Sequence, residues 1–219
     1  MKRLAAEKAC EYLEDGMIVG LGTGSTVKYA LKKIGEMVKN GLEIKGIPTS
    51  IETKKIAQRE MIPLTNLDDN PNIDLTIDGA DEVDSELRLI KGGGGALTRE
   101  KIIAYHSKQL IIVIDETKVV KILGIDFPLP VEVVKYGWNL TKNKLKELNC
   151  DVEIRKIMDN PYITDNSNYI LDCEFERIQE PEQLEIDINN IPGVVENGLF
   201  LGLADEIIVG SKQGIKTLG

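Results

Sequence analysis

A chain of 219 residues, 42% of them hydrophobic and 29% charged, is long enough for one large domain or two small ones with true cores, and its composition is not that of a disordered polymer. Its 36 acidic residues against 27 basic ones leave a net charge of -9, which argues against non-specific attraction to nucleic acid or to an anionic membrane. An anionic ligand must therefore be held by local groups, and no segment approaches the ~18 uninterrupted apolar residues of a membrane-spanning helix.

The amino-terminal MKRLAAEKAC runs into Glu7 and Lys8 instead of a long apolar stretch, so no signal peptide is expected. Leu4, Ala5, Ala9, Tyr12 and Leu13 recur at helical spacing before Gly16, and MIVGLG then reads as a short buried strand. After GTGST a helix is expected over 25–40, then a strand at EIKGIPT and a third helix opening near Ser50. IDLTIDG continues as strand, ALTREKIIAYHSK as helix and QLIIVID as a nearly continuous apolar strand. Alternating β and α with buried strands predicts a Rossmann-like, doubly wound, mostly parallel α/β sheet.

FPLPVEV, with Pro128 and Pro130 around Leu129, breaks this rhythm and marks the expected boundary of a second, smaller α+β domain. From Val131 a strand, a helix through TKNKLKELN, a strand at DVEIRK, two strands flanking DNSN, a helix at PEQLEIDINN and a strand near Val194 give the order of a split, ferredoxin-like unit. EIIVG, a turn at SKQG and IKTL then form a hairpin that returns to the first sheet. The expected domains are 1–127 plus 200–219, catalytic, and 128–199, which serves oligomerisation.

Cys10, Cys150 and Cys173 are odd in number and widely spaced, as for reduced thiols in a cytosol. His106 is the only histidine, which argues against a histidine-based metal site or a Ser-His-Asp triad, and it falls on an expected helix in a structural role.

Three strings carry the candidate chemistry. In GLGTGST (20–26), between strand and helix, glycines allow a tight turn while helix-start amides and the hydroxyls of Thr23, Ser25 and Thr26 suit an anion, phosphate above all. A tight turn capped by Ser25 fits the same letters. The spacing matches neither G-x-G-x-x-G nor a P-loop. In DGADEVD (78–84) four carboxylates follow a strand, where open α/β sheets bind ligands. Such a cluster suits a divalent metal, a solvated loop, or sugar hydroxyls and proton relay. Asp78 and Asp81 bracket a Gly-Ala turn, whereas Glu82 and Asp84 are expected to face solvent. In KGGGGALTREK (91–101) a lysine, a run of glycines and a helix start meet, and Glu100 lies near the ligand end of that helix, a position that also suits a plain dipole-complementing acid. The three loops gather on one sheet edge and suit proton transfer on a small phosphorylated substrate.

GLGTGST, DGADEVD, KGGGGALTREK, PLPVEV and IPGVVENGLF, in this order over nearly the whole chain, resemble the type A ribose-5-phosphate isomerase family. The resemblance implies reversible conversion of ribose 5-phosphate to ribulose 5-phosphate in the non-oxidative pentose phosphate pathway, without metal or organic cofactor. It implies a Rossmann-like domain with a smaller α+β domain, assembled as a homodimer or a dimer of dimers in the cytoplasm. Carried over by position, the proton-transferring glutamate falls on Glu100, the paired aspartates on Asp78 and Asp81 and the active-site lysine on Lys91. The substrate-binding segments fall on Thr23, Gly24, Ser25 and Thr26, on Gly79 and Ala80 between the aspartates, and on Gly92, Gly93 and Gly94. A further substrate lysine falls on Lys118, which only the resemblance selects. Competing readings are another phosphosugar isomerase, a non-catalytic sugar-phosphate sensor, for which Glu100 has no use as a base, and a nucleotide-dependent oxidoreductase.

Overall fold

A computed structural model describes residues 1–219. In chain order the elements are α1 (Lys2–Ala9), β1 (Ile18–Leu21), α2 (Val27–Lys39), β2 (Lys45–Pro48), α3 (Ile51–Arg59), β3 (Leu75–Asp78), β4 (Glu82–Val83), β5 (Leu89–Ile90), α4 (Leu97–Tyr105) and β6 (Leu110–Asp115). Then follow β7 (Leu129–Val133), α5 (Trp138–Lys146), β8 (Asp151–Ile154), β9 (Lys156–Ile157), β10 (Asn160–Pro161), β11 (Tyr169–Glu174), α6 (Pro181–Asn189), β12 (Val194–Asn197), β13 (Leu199–Phe200), β14 (Glu206–Ser211) and β15 (Gly214–Leu218). The chain divides into two compact units, Met1–Ala80 with Arg99–Lys118 and Gly202–Gly219, and Asp81–Thr98 with Val119–Leu201.

The first unit is built on a sheet of order β15-β14-β6-β3-β1-β2, parallel throughout except for β15, which returns antiparallel to β14. Every residue of β6, LIIVID, is buried, as in a parallel sheet covered on both faces. On one face Ala5, Ala6 and Ala9 of α1 and Val27, Ala30, Leu31 and Ile34 of α2 pack with Val19, Leu75, Ile77 and Ile111. On a separate cluster, Ile103 of α4 packs with Ile47 and Ile73. Successive connections leave β1 in opposite directions, to β2 on one side and to β3 and β6 on the other. The order thus reverses between β1 and β3, and a doubly wound sheet opens its ligand crevice at the carboxyl ends of such a pair. GLGTGST follows one of these strands and DGAD the other.

In the second unit β7, β8, β11 and β12 form an antiparallel sheet of order β12-β7-β11-β8, with α5 after β7 and α6 after β11 in the chain, the split ferredoxin-like pattern. Leu129, Val131, Val133, Leu145, Val152, Leu171 and Ile188 make its core.

By contacts alone, residues 81–98, 119–127 and 200–201 group with the second compact unit. The cause is short pairing, since β5 pairs with both β4 and β13 and Val83 bridges Val119. The strand expected just before DNSN is replaced by the short hairpin of β9 and β10. Glu82 and Asp84 do not face solvent but are each 1% exposed. Glu82 accepts the amides of Gly124 (2.6 Å) and Asp126 (2.7 Å), and burial still pushes its carboxyl above the usual range. Asp84 accepts the amides of Glu86 and Arg88 and pairs with the Arg88 guanidinium at 2.7 Å.

No helix is long and apolar enough to cross a membrane. The three cysteines are free thiols, and burial pushes Cys10 up to about 12, which makes it a core residue and not a nucleophile. His106 directly follows α4, with Nδ1 2.8 Å from the Ile102 carbonyl oxygen and its ring edge-on to Tyr105.

Candidate active site

The first unit carries the anion loop. Gly22 donates its amide to Ile77 O at 3.0 Å and lies so close to Asp78 that a β-carbon there would meet its carboxyl group. Asp78, 1% exposed at the end of β3, uses Oδ1 to accept the amides of Thr23 (3.0 Å) and Gly79 (2.7 Å). The loop after β1 and the turn after β3 are thereby tied together through one carboxylate.

The hydroxyl expected of Thr23 as an anion donor is turned inward. It bonds Thr49 (2.7 Å), Ser50 (2.8 Å) and Thr53 (3.1 Å), a buried hydroxyl cluster at the start of α3 that fixes the loop from below. The cap of α2 also differs: Thr26, not Ser25, is the N-cap residue and its side chain makes no capping bond, while the amides of Lys28 and Tyr29 are donated to the carbonyls of Gly24 (3.2 Å) and Thr26 (3.1 Å). The helix start carries the positive end of the dipole, which favours an anion there. Gly24 has φ +122°, which a residue with a side chain rarely adopts.

One cation beside the loop carries no signal in the sequence. Lys2, at the first turn of α1, donates from Nζ to Ser25 Oγ at 2.8 Å and lies 3.9 Å from Asp115 Oδ2. Lys118 belongs to the short 3-10 turn Glu116–Lys118 directly after β6. Burial alone would raise the Asp115 carboxyl, but the hydroxyl and amide of Thr117 and the charges of Lys2 and Lys118 hold it below the usual carboxylate range. Lys2 thus links Asp115 at the carboxyl end of β6 to Ser25 of the glycine loop.

Glu100 sits in the first turn of α4 and is 4% exposed. It shares a helix face with Leu97 and Ile103, three residues away on either side, and Ile103 is packed over Gly20 of β1. The last turn is pinned through Ser107, whose hydroxyl contacts Thr76 Oγ1 at 2.6 Å and donates to Ile103 O at 2.7 Å.

The second unit carries the glycine run. Asp81 donates its amide to Ile90 O at 2.8 Å and accepts Gly93 N–H on Oδ2 at 2.7 Å. Lys91, only 2% exposed, donates its amide to Gly198 O at 2.9 Å and places Nζ 5.3 Å from the centre of the Phe200 ring, a cation–π arrangement. Gly92, at φ +104°, accepts Gly95 N–H at 2.9 Å, so Gly93 and Gly94 form the exposed tip of a turn. Thr98, in the first turn of α4, donates to buried Glu132 at 2.6 Å.

A helix start and two lysines at a switch point, with a buried glutamate in the first turn of α4, make an α/β site suited to acid–base chemistry on a small phosphorylated molecule. The model of the family ribose 5-phosphate isomerase A (phosphoriboisomerase A) matches residues 45–214. The ribose-5-phosphate isomerase A of Bacillus mycoides is 48% identical over 217 residues, 99% of this chain and 98% of its own. Among solved structures, ribose 5-phosphate isomerase A from Methanocaldococcus jannaschii is 42% identical with a TM-score of 0.95, over 99% of this chain and 97% of that one. A D-ribose-5-phosphate isomerase in complex with phospho-erythronic acid is 44% identical with a TM-score of 0.95, over 99% and 96%. The chain belongs to the ribose 5-phosphate isomerase A family, and it is an isomerase. The sensor and oxidoreductase readings find no support among these relatives.

Proposed function

We propose that the chain interconverts D-ribose 5-phosphate and D-ribulose 5-phosphate through an enediolate, with Glu100 as the base that carries the proton between C2 and C1. Moving that proton on one face of the sugar needs a single carboxylate that both takes and returns it. The enediolate is anionic on oxygen, and Lys91 with amides of the glycine run stabilises that charge. Asp78 and Asp81, each tied through a carboxylate oxygen to a glycine amide, serve the proton transfers of ring opening. The phosphate rests on the residue 24–26 loop at the positive end of α2, on Lys2 and on Lys118. Neither metal nor organic cofactor is required by these steps.

The observation that carries this reading is a buried Glu100 at the start of α4, in a chain that aligns almost end to end with an isomerase solved with phospho-erythronic acid. That compound is a phosphorylated sugar acid, and its planar, two-oxygen anion resembles an enediolate. A place in the non-oxidative pentose phosphate pathway, a cytoplasmic setting and assembly as a homodimer or dimer of dimers go with this reading. Exposed Tyr136 and Leu140, 95% and 73% accessible on the second unit, support an assembly role there.

Substitution of Lys118 or Lys2 by alanine tests the anion site. A hydrogen bond to a charged group is worth about 1.5–3 kcal/mol, so each change is expected to raise KM for ribose 5-phosphate roughly tenfold or more and to weaken inhibition by inorganic phosphate in parallel. Unchanged affinity for both ligands would place the phosphate elsewhere.

A further inference from the structure

An ion pair of the second unit grips the glycine run from behind. Arg155, directly after β8, is fixed by Asp172 of β11: Nε donates to Oδ2 at 2.9 Å and Nη2 to Oδ1, the planar two-pronged geometry that guanidinium and carboxylate share. The remaining Nη1 donates to the carbonyl of Gly92 at 2.7 Å and that of Gly93 at 3.1 Å. Both side chains are largely enclosed, at 15% and 22% exposure.

The peptide geometry converts this grip into an orientation. Within one trans peptide the C=O and the following N–H point in opposite directions. Turning the Gly92 carbonyl toward Arg155 therefore sends the Gly93 N–H to the opposite side, where Asp81 Oδ2 accepts it at 2.7 Å. The next peptide is held by the same nitrogen, so the Gly94 N–H is also aimed away from Arg155. Gly93 N–H is taken by Asp81 and Gly95 N–H by Gly92 O, which makes Gly94 N–H the one amide of the three outside this network. Successive glycines are the least constrained backbone a chain can have, and without an outside grip their amides would not hold one direction.

We propose that Arg155, held by Asp172, is a positioning residue of the isomerase, fixing the Gly92 and Gly93 carbonyls so that the Gly94 N–H is presented to the substrate oxygen that becomes negative in the enediolate. This rests on the reading that the chain isomerises ribose 5-phosphate. The Arg155 side chain itself does not touch substrate.

The test compares wild type with Arg155→Met and Asp172→Asn in kcat and KM for ribose 5-phosphate, in affinity for phospho-erythronic acid and for inorganic phosphate, and in thermal melting. A donor misplaced by an ångström costs about 10²-fold in rate, so Arg155→Met is expected to lose about that much kcat with KM near wild type. Affinity for phospho-erythronic acid falls at least about tenfold, because its carboxylate needs the oriented amide, while affinity for inorganic phosphate stays within about twofold. Asp172→Asn, which keeps the arginine but loosens it, falls between, and it carries the test if Arg155→Met does not fold. A merely structural pair would lower the melting temperature and leave kcat per folded molecule and the ratio of the two affinities unchanged, which overturns the proposal. Wild-type protein that makes no ribulose 5-phosphate overturns the isomerase reading itself, whereas active wild type with unaltered variants overturns only the positioning role.

Discussion

Glu100→Gln is expected to lower turnover by about 10²-fold or more while substrate affinity changes little. The substitution keeps the size of the side chain and most of its hydrogen-bonding capacity, but an amide cannot accept a proton from carbon at neutral pH. A first-turn acid has a competing explanation, since a carboxylate at a helix start is favoured by the dipole whatever the protein does. In that case the loss appears as about 0.3–1 kcal/mol of stability with turnover nearly intact. Burial favours the catalytic role, because a residue that only complements the dipole gains nothing from being 4% exposed. Steady-state rates with inorganic phosphate binding and thermal melting as controls for the fold separate the two. A folded variant that turns over at near wild-type rate removes Glu100 from the mechanism.

Gly22→Ala should be nearly as damaging, for a steric reason. The added β-carbon would stand 2.6 Å from Asp78 Cα and closer still to its carboxyl atoms. The backbone cannot give way at little cost, because Gly22 N–H is bonded to Ile77 O and Asp78 is in register with Ile112 of β6. Either the loop lifts from β3 or the Asp78 carboxylate swings off the amides of Thr23 and Gly79. The first outcome displaces the loop proposed to hold phosphate and the second the carboxylate proposed for ring opening, so a loss of about 10²-fold in kcat/KM is expected with about 1–3 kcal/mol of stability. Melting curves and kcat/KM check both parts. An alanine variant with wild-type activity would show that the contact between the two loops is not needed for catalysis.

Periodicity reaches only as far as elements long enough to show it. The apolar run of β6 and the helical stripe of α2 declare themselves locally, and GLGTGST and DGAD follow β1 and β3 of the doubly wound sheet, whereas the glycine run follows β5 of a separate antiparallel sheet and not the one sheet edge expected for all three loops. Two-residue strands have no period, so the pairing of β5 with β4 and with β13 was hidden. Burial of a polar side chain depends on partners far along the chain. Glu82 reads as solvated until Gly124 and Asp126 supply their amides, and Thr23 reads as a ligand donor until Thr49, Ser50 and Thr53 turn its hydroxyl inward. Lys2 and Arg155 have no local signal at all. Each acquires its role from an element folded against it, α2 with Ser25 in one case and the glycine turn in the other.

The central claim is isomerisation by a proton carried on a carboxylate, and conversion of ribose 5-phosphate in heavy water tests it most directly. A proton held on Glu100 between the two carbons can exchange with solvent before it is returned. Ribulose 5-phosphate is therefore expected to form well above the enzyme-free rate and to carry deuterium at C1 in at least a fraction of the molecules, read by NMR or mass spectrometry. No ketose above the control, or ketose in which C1 never acquires deuterium, would contradict it.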